Sequence, residues 1–278
     1  MLGYSTMTSK RNQEWLLLLH GLGGSSNIWY KQLPVLSQNY NLLLPDFFGH
    51  GLTQEVRPEY SFQGLADELV KLLDHLQLKQ VHVLGISLGS IVACTLALRH
   101  RPRVRSMLLG ASVQNMNPQT RFLLQTARGL KHFLPYMWLY RFFAWIIMPG
   151  PNQKQSRAIF AREAGNLGRT EFKKWHTLLL QFPKLCRDFQ DQEICRVPKL
   201  FISGERDHLF LRHVHEHISK DPKAALHVIP DCGHVCNIQA PQEFNRVCLQ
   251  YLQGKYAVAQ QQEPAWVQEP ALEPTANR

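Results

Sequence analysis

The stretch VHVLGISLGS, Val81 to Ser90, constrains the fold of this chain more than any other. It is apolar but for His82 up to Ile86, turns on Gly-Ile-Ser-Leu-Gly, and continues into a helix-like segment, Leu88 to Arg99. A nearly continuous apolar run of this length suits a strand buried on both faces. In a tight strand-to-helix turn, bulk at the flanking positions would clash, and Gly85 and Gly89 meet that need. A serine at the tip of the bend exposes its hydroxyl, and the Leu88 amide behind it opens a helix and faces any developing oxyanion. The pattern is short, however, and a plain tight turn explains it equally well. The remainder of the chain has to decide between the two.

The first half alternates regularly. WLLLLHG and YNLLLPDFFGHG are short buried runs that end in glycine turns, and VRSMLLGA is a further strand. NIWYKQLPVLSQ has helical spacing that Pro34 bends or shortens. SFQGLADELVKLLDHLQL repeats Leu65, Leu69, Leu72, Leu73 and Leu76 on one face, with Ser61 as the cap. Strand, helix and strand at this pitch predict an α/β fold: a mostly parallel central sheet with helices on both faces.

Alternation stops after Ala111, and the following segment is helical with Pro and Gly breaks. It resumes at VPKLFISGERD and ALHVIPDCGH and ends in the helix Pro241 to Leu252. The expected organisation is a core of residues 1–112 and 195–254 split by a helical lid, 113–194. Residues 255–278, rich in Gln, Pro and Glu, are expected to be disordered.

A serine hydroxyl is a poor nucleophile without a base. Of 13 histidines, His234 is best placed, in a Gly-containing loop after the last strand. His213, His215 and His217 share one helix, where surface exposure is the expectation; His208 adjoins a candidate acid, and His50 sits in the FFGHG turn. The base needs an acid to fix its tautomer. Asp207, just past a strand end, fills that role, with Glu205 as runner-up. The order Ser87, Asp207, His234 is the one expected of a strand–elbow–helix nucleophile. The His20-Gly21-Leu22 turn after an early strand offers the Leu22 amide as a second oxyanion donor beside Leu88, with His20 organising the turn. No metal or cofactor is needed for this chemistry. CGHVC, Cys232 to Cys236, lacks the second pair of ligands that zinc would require.

On these residues the chain resembles α/β-hydrolase-fold proteins over roughly residues 15–110 and 195–252. The resemblance rests on His20-Gly21, PDFFGHGLT with Asp46, Gly49 and Gly51, GISLGS, GERD and GHVCNIQAPQEF. It implies that Asp46 braces its loop, and Ser87 excludes the dehalogenase and epoxide-hydrolase branches, whose nucleophile is an aspartate. Two features depart from the pattern. Ser90 replaces a glycine often found beside the elbow, and the 19 residues before His20 are too few for the usual opening hairpin in full. The short start, the SLG elbow and a basic helical lid are similar to pimeloyl-acyl-carrier methyl ester esterases. That resemblance implies lid arginines that hold an acidic carrier protein, with Arg121, Arg128, Arg141, Arg157 and Arg162 as candidates.

The formal net charge is +10, and Val113 to Gln190 carries twelve Lys and Arg against three acids. Such a stretch is either a solvated face or a patch for an acidic carrier protein or a membrane surface. Nucleic acid is not an expected partner. Aromatic residues crowd the lid segment Lys131 to Gly150. They fit a helix packed on the core, an acyl-chain pocket, or interfacial contact with a membrane. No apolar run reaches the roughly 20 residues that span a bilayer. The N-terminus has no apolar signal core, and the six cysteines (94, 186, 195, 232, 236 and 248) have no framework spacing. A reduced cytoplasmic chain is therefore expected.

The expected function is hydrolysis of a carboxylic ester on an apolar acyl substrate through a Ser87-His234-Asp207 triad. Two alternatives stand beside it. One is a carbon–carbon bond hydrolase or thioesterase using the same triad, and the other is a non-catalytic binding or signalling protein on the same fold.

Overall fold

Five buried runs, one partly buried run and one unanticipated segment form a single seven-stranded sheet in the computed structural model. The structure describes residues 1–9, 13–53, 57–131, 133–190, 194 and 196–256. The strands are β1 (Tyr4–Met7), β2 (Trp15–Leu19), β3 (Asn41–Pro45), β4 (Val81–Ile86), β5 (Val104–Gly110), β6 (Lys199–Gly204) and β7 (Ala224–Ile229). They lie in the order β1-β3-β2-β4-β5-β6-β7. Only β1 is antiparallel, pairing Tyr4 with Pro45 of β3. It is mostly exposed, so it carries no apolar signal. One edge strand thus stands where a full opening hairpin was not expected.

Alternate side chains of the buried strands enter two cores. Leu17 and Leu19 of β2 pack into one, and Leu16 and Leu18 into the other on the opposite face, as a period of two requires. The chain leaves β2 for β3 on one side and returns to β4 on the other, with Leu19 opposite Gly85. In parallel sheets such a reversal opens a crevice at the carboxyl ends of the strands. Here those ends carry His20-Gly21-Leu22 and Ser87.

Helix α1 (Phe62–His75) begins where the Ser61 hydroxyl accepts the Gly64 amide at 2.9 Å. It buries Leu65, Leu69, Leu72 and Leu73 along one stripe. Helix α2 (Leu88–Arg99) is buried on nearly every side, and its sequence is accordingly apolar all round. NIWYKQLPVLSQ forms a 3-10 turn, Ser26–Trp29, and a four-residue helix, Leu33–Leu36, with Pro34 in the first turn.

Between β5 and β6 the described residues contain helices and no strand: α3 (Pro118–Leu130), α4 (Tyr136–Ile147), α5 (Lys154–Ala164) and α6 (Arg169–Leu179). Asn117 caps α3 by accepting the Thr120 amide at 2.7 Å. The insertion is tied to the core by Trp175 Nε1, which donates to the Phe48 carbonyl at 3.0 Å, and by Tyr140, which donates to the Leu22 carbonyl at 2.6 Å.

Helices α7 (Leu211–Ile218) and α8 (Pro241–Leu252) complete the fold. Of the α7 histidines, His217 contradicts the expectation of exposure. It is buried against Phe201 and lies 3.8 Å from Asp221, itself paired with the buried Lys199. Burial lowers its pKa to about 4. The expected disordered tail lies, from residue 257 onward, outside the described residues, as does Cys195. No described helix is long and apolar enough to cross a membrane.

Candidate active site

The turn after β4 holds Ser87 at φ 52° and ψ −115°, a conformation that costs a non-glycine residue roughly 1–3 kcal/mol. Its amide donates to the Gly110 carbonyl at 3.0 Å. A Cβ at Gly85 would come within 2.3 Å of the Gly89 carbonyl oxygen, and one at Gly89 within 2.1 Å of that of Leu19. Both glycines are therefore required by close backbone approach, as the sequence indicates. Ser90, the departure from the common pattern, has its own place. Its buried hydroxyl donates to the Ser87 carbonyl at 2.6 Å and accepts the Val113 amide at 3.1 Å, fastening the elbow to the start of the insertion.

The fold brings the three expected side chains together. His234 Nε2 lies 3.0 Å from Ser87 Oγ, and Nδ1 lies 2.8 Å from Asp207 Oδ2. With Nδ1–H donating to the carboxylate, Nε2 is left to accept the serine hydroxyl. Asp207 and His234 are both buried, and backbone bonds between their loops set the spacing. The Arg206 amide donates to the Cys232 carbonyl at 2.8 Å, and the Glu205 amide to that of Ile229 at 3.0 Å. Glu205 itself points away, exposed, and accepts the Asp231 amide at 3.0 Å. His208 is exposed and His213 pairs with Glu216 at 3.0 Å.

The sequence model of the alpha/beta hydrolase family matches residues 16–247. The chain belongs to that family and is a hydrolase. It is 29% identical over 248 residues, 85% of this chain and 93% of the other, to the proposed carbamate hydrolase RutD of Pseudomonas syringae pv. syringae (strain B728a). A hydrolase from Pseudomonas aeruginosa PA01 superposes with a TM-score of 0.77 at 22% identity, covering 90% of this chain and 93% of that one. The enol-lactonase from Burkholderia xenovorans LB400 superposes with a TM-score of 0.76 at 19% identity, over 91% and 96% of the two chains.

Within this hydrolase, the His20-Gly21-Leu22 turn lies directly beside the turn that carries Ser87: a Cβ at Gly21 would be 3.6 Å from that of Ser87. Leu88 supplies the first amide of α2, and the opening amides of a helix have no acceptor one turn back. The histidines of this region hold backbone rather than protons in transit. His20 Nε2 accepts the Phe47 amide at 3.0 Å while Nδ1–H donates to the Gly21 carbonyl at 2.8 Å. His50 Nε2 accepts the Gly23 amide at 3.1 Å, and Nδ1–H donates to the Phe48 carbonyl at 3.0 Å. Burial lowers both pKa values, that of His50 strongly, so both rings are neutral braces. Asp46 accepts the Ser26 and Leu52 amides at 2.6 and 2.8 Å and so braces its loop.

Two apolar cavities share Leu22 as a wall. One lies over Ser87 and His234 and is walled by Ile28, Ile159, Phe160 and Ile238. Glu163 is the only carboxylate in its wall among the described residues. It accepts Ser25 Oγ at 3.3 Å and the Arg162 guanidinium at 3.1 Å. The other cavity lies between α3, α4 and α6 beside Ala127, Leu139, Phe142 and Phe172. His176 in its wall donates to the Leu124 carbonyl at 3.0 Å and accepts Lys131 Nζ at 3.4 Å. Burial lowers its pKa to about 4, so it adds no charge to the cavity.

Sequence reasoning missed Tyr140 and Glu163. Tyr140 was one of seven aromatics with no feature to single it out, and Glu163 sat among lid charges. Their places follow only from the docking of the insertion.

Proposed function

We propose that this hydrolase cleaves carboxylic esters of neutral, apolar acyl groups through Ser87, His234 and Asp207. The observation that carries the reading is the unbroken chain from Ser87 Oγ through His234 to Asp207, with bonds of 3.0 and 2.8 Å. His234 takes the serine proton as Ser87 attacks the carbonyl. The amides of Leu22 and Leu88 hold the oxyanion of the tetrahedral intermediate. His234 then protonates the leaving alcohol and activates the water that frees the acid from the acyl-enzyme. Asp207 keeps the imidazole in the required tautomer and stabilises its charged form. The helices of 113–194 act as a lid, and the cavity past Leu22 takes the acyl chain.

The apolar walls support a hydrophobic acyl group, and Glu163 disfavours an anionic one. The same carboxylate favours a second reading, a carbamate or other substrate whose N–H Glu163 accepts. The similarity to a proposed carbamate hydrolase points the same way. The five described cysteines are all free, which suits action in the cytoplasm.

A panel of p-nitrophenyl and methyl esters of increasing chain length, with matched carbamates, tests both readings. Turnover that rises with chain length and vanishes in Ser87→Ala supports the ester reading. Preference for the carbamates supports the second, and no turnover of any acyl substrate overturns both.

A further inference from the structure

The outward faces of α3 and α4 are unlike the rest of the surface. Phe122, Phe133, Trp138, Phe142 and Trp145 are 74, 86, 70, 54 and 58% exposed. On α4 the three positions 138, 142 and 145 recur at helical spacing, while Tyr140, Ala144 and Ile147 on the other side are buried. The helix therefore already has its core-facing stripe, and the aromatic stripe is a second one. Exposed aromatic groups in such density mark an interaction site.

The charge of this region is one-sided. From Val113 to Arg162 there are seven Lys and Arg and no Asp or Glu, with Lys131 buried and Arg162 paired with the adjoining Glu163 at 3.1 Å. Arg141, Arg157 and Arg162 gather with Trp145 around one shallow depression. Aromatic rings that enter the headgroup region, with cations beside them, are the combination that holds a protein on an anionic bilayer. A protein partner would need a separate pocket for each protruding ring, whereas a bilayer accepts them at any spacing.

The cavity between α3, α4 and α6 adds an independent observation. Leu130 and Phe142 line it, and both are also exposed on the aromatic face, by 41 and 54%. Its wall also includes Leu22, which walls the space over Ser87 as well. An acyl chain leaving a membrane would meet this apolar space first.

We propose that the aromatic, cationic face of α3 and α4, with the neighbouring Phe133 and the α5 arginines, docks on an anionic phospholipid surface and admits membrane-partitioned esters to the cavity behind it. The docking proposed is peripheral, through this face alone. Delivery of substrate rests on the proposed esterase reading; docking does not.

The test is co-sedimentation of the full chain, carrying Ser87→Ala, with phosphatidylcholine vesicles and with mixed phosphatidylcholine–phosphatidylglycerol vesicles. The expected result is binding to the mixed vesicles that salt weakens, with a blue shift of tryptophan fluorescence. The triple variant Phe133→Ser/Trp138→Ser/Trp145→Ser should bind about tenfold more weakly or worse. In the Ser87 enzyme, that variant should keep its turnover of a water-soluble short-chain ester and lose turnover of a vesicle-borne one. Absence of binding to the mixed vesicles, or undiminished binding of the triple variant, overturns docking. Capture of an acidic carrier protein through the same three residues, without vesicle binding, also overturns it. Vesicle binding with no ester turnover upholds docking and contradicts only the esterase reading.

Discussion

Tyr140→Phe removes one hydroxyl and nothing else, and its effect can be worked from the structure. The hydroxyl donates to the Leu22 carbonyl at 2.6 Å, and the ring is stacked on Phe160 at 4.6 Å between centroids. The phenylalanine keeps the stacking. The buried Leu22 carbonyl, however, is left without that donor, which costs about 1–3 kcal/mol. For a domain of this size that lowers the melting temperature by roughly 2–4 °C per kcal/mol. The catalytic cost comes through the same residue, because Leu22 carries one of the two proposed oxyanion donors. Removing such a donor outright costs about 10²- to 10³-fold in kcat. Loosening the turn that holds it should cost less, about tenfold, and KM should change little because no substrate contact is lost. The assay is steady-state kinetics on a p-nitrophenyl ester alongside thermal unfolding. A variant that melts lower yet keeps kcat within about twofold would show that Tyr140 only joins the insertion to the core, and the positioning argument would be wrong.

Three other outcomes follow from the same geometry. Ser90→Ala strands the Val113 amide and should lower unfolding stability by about 1–3 kcal/mol; an unchanged denaturation midpoint would remove Ser90 from the elbow's support. Glu163→Gln takes the charge from the wall of the cavity over Ser87 and should raise kcat/KM for anionic esters relative to neutral ones; an unchanged ratio would exclude Glu163 from specificity. His176 and His217 have pKa values lowered to about 4 by burial, against about 6.5 in the unfolded chain. Because the unfolded state then binds more protons, stability is full above the unfolded value and declines as pH falls through this window. The loss is about 2 kcal/mol for each histidine near pH 5. Denaturant midpoints that stay level between about pH 7.5 and pH 5 would contradict it.

The fold was legible where the sequence is governed by burial on both sides. Each of β2 through β7 is an apolar run ended by a turn, and α1 shows its stripe of leucines together with its Ser61 cap. The edge strand β1 escaped because an exposed, four-residue strand borrows its partner from β3 and has no period of its own. Ser87, Asp207 and His234 were legible because each follows a strand end, where chain order alone puts it on one rim of the sheet. Tyr140 and Glu163 were not, because their places depend on how the insertion settles on the core, a long-range packing problem without a local signal. His217 was misread for a related reason. A histidine on a short polar helix looks solvated, yet here Phe201 and the Lys199–Asp221 pair lie beside it.

The central claim is that Ser87 is a nucleophile activated by His234. Labelling with a fluorophosphonate, followed by mass spectrometry of the digested protein, tests it most directly. The account predicts one covalent adduct, on the peptide bearing Ser87, absent in Ser87→Ala and formed far more slowly in His234→Ala. An unlabelled protein, or an adduct that persists in Ser87→Ala, would contradict it.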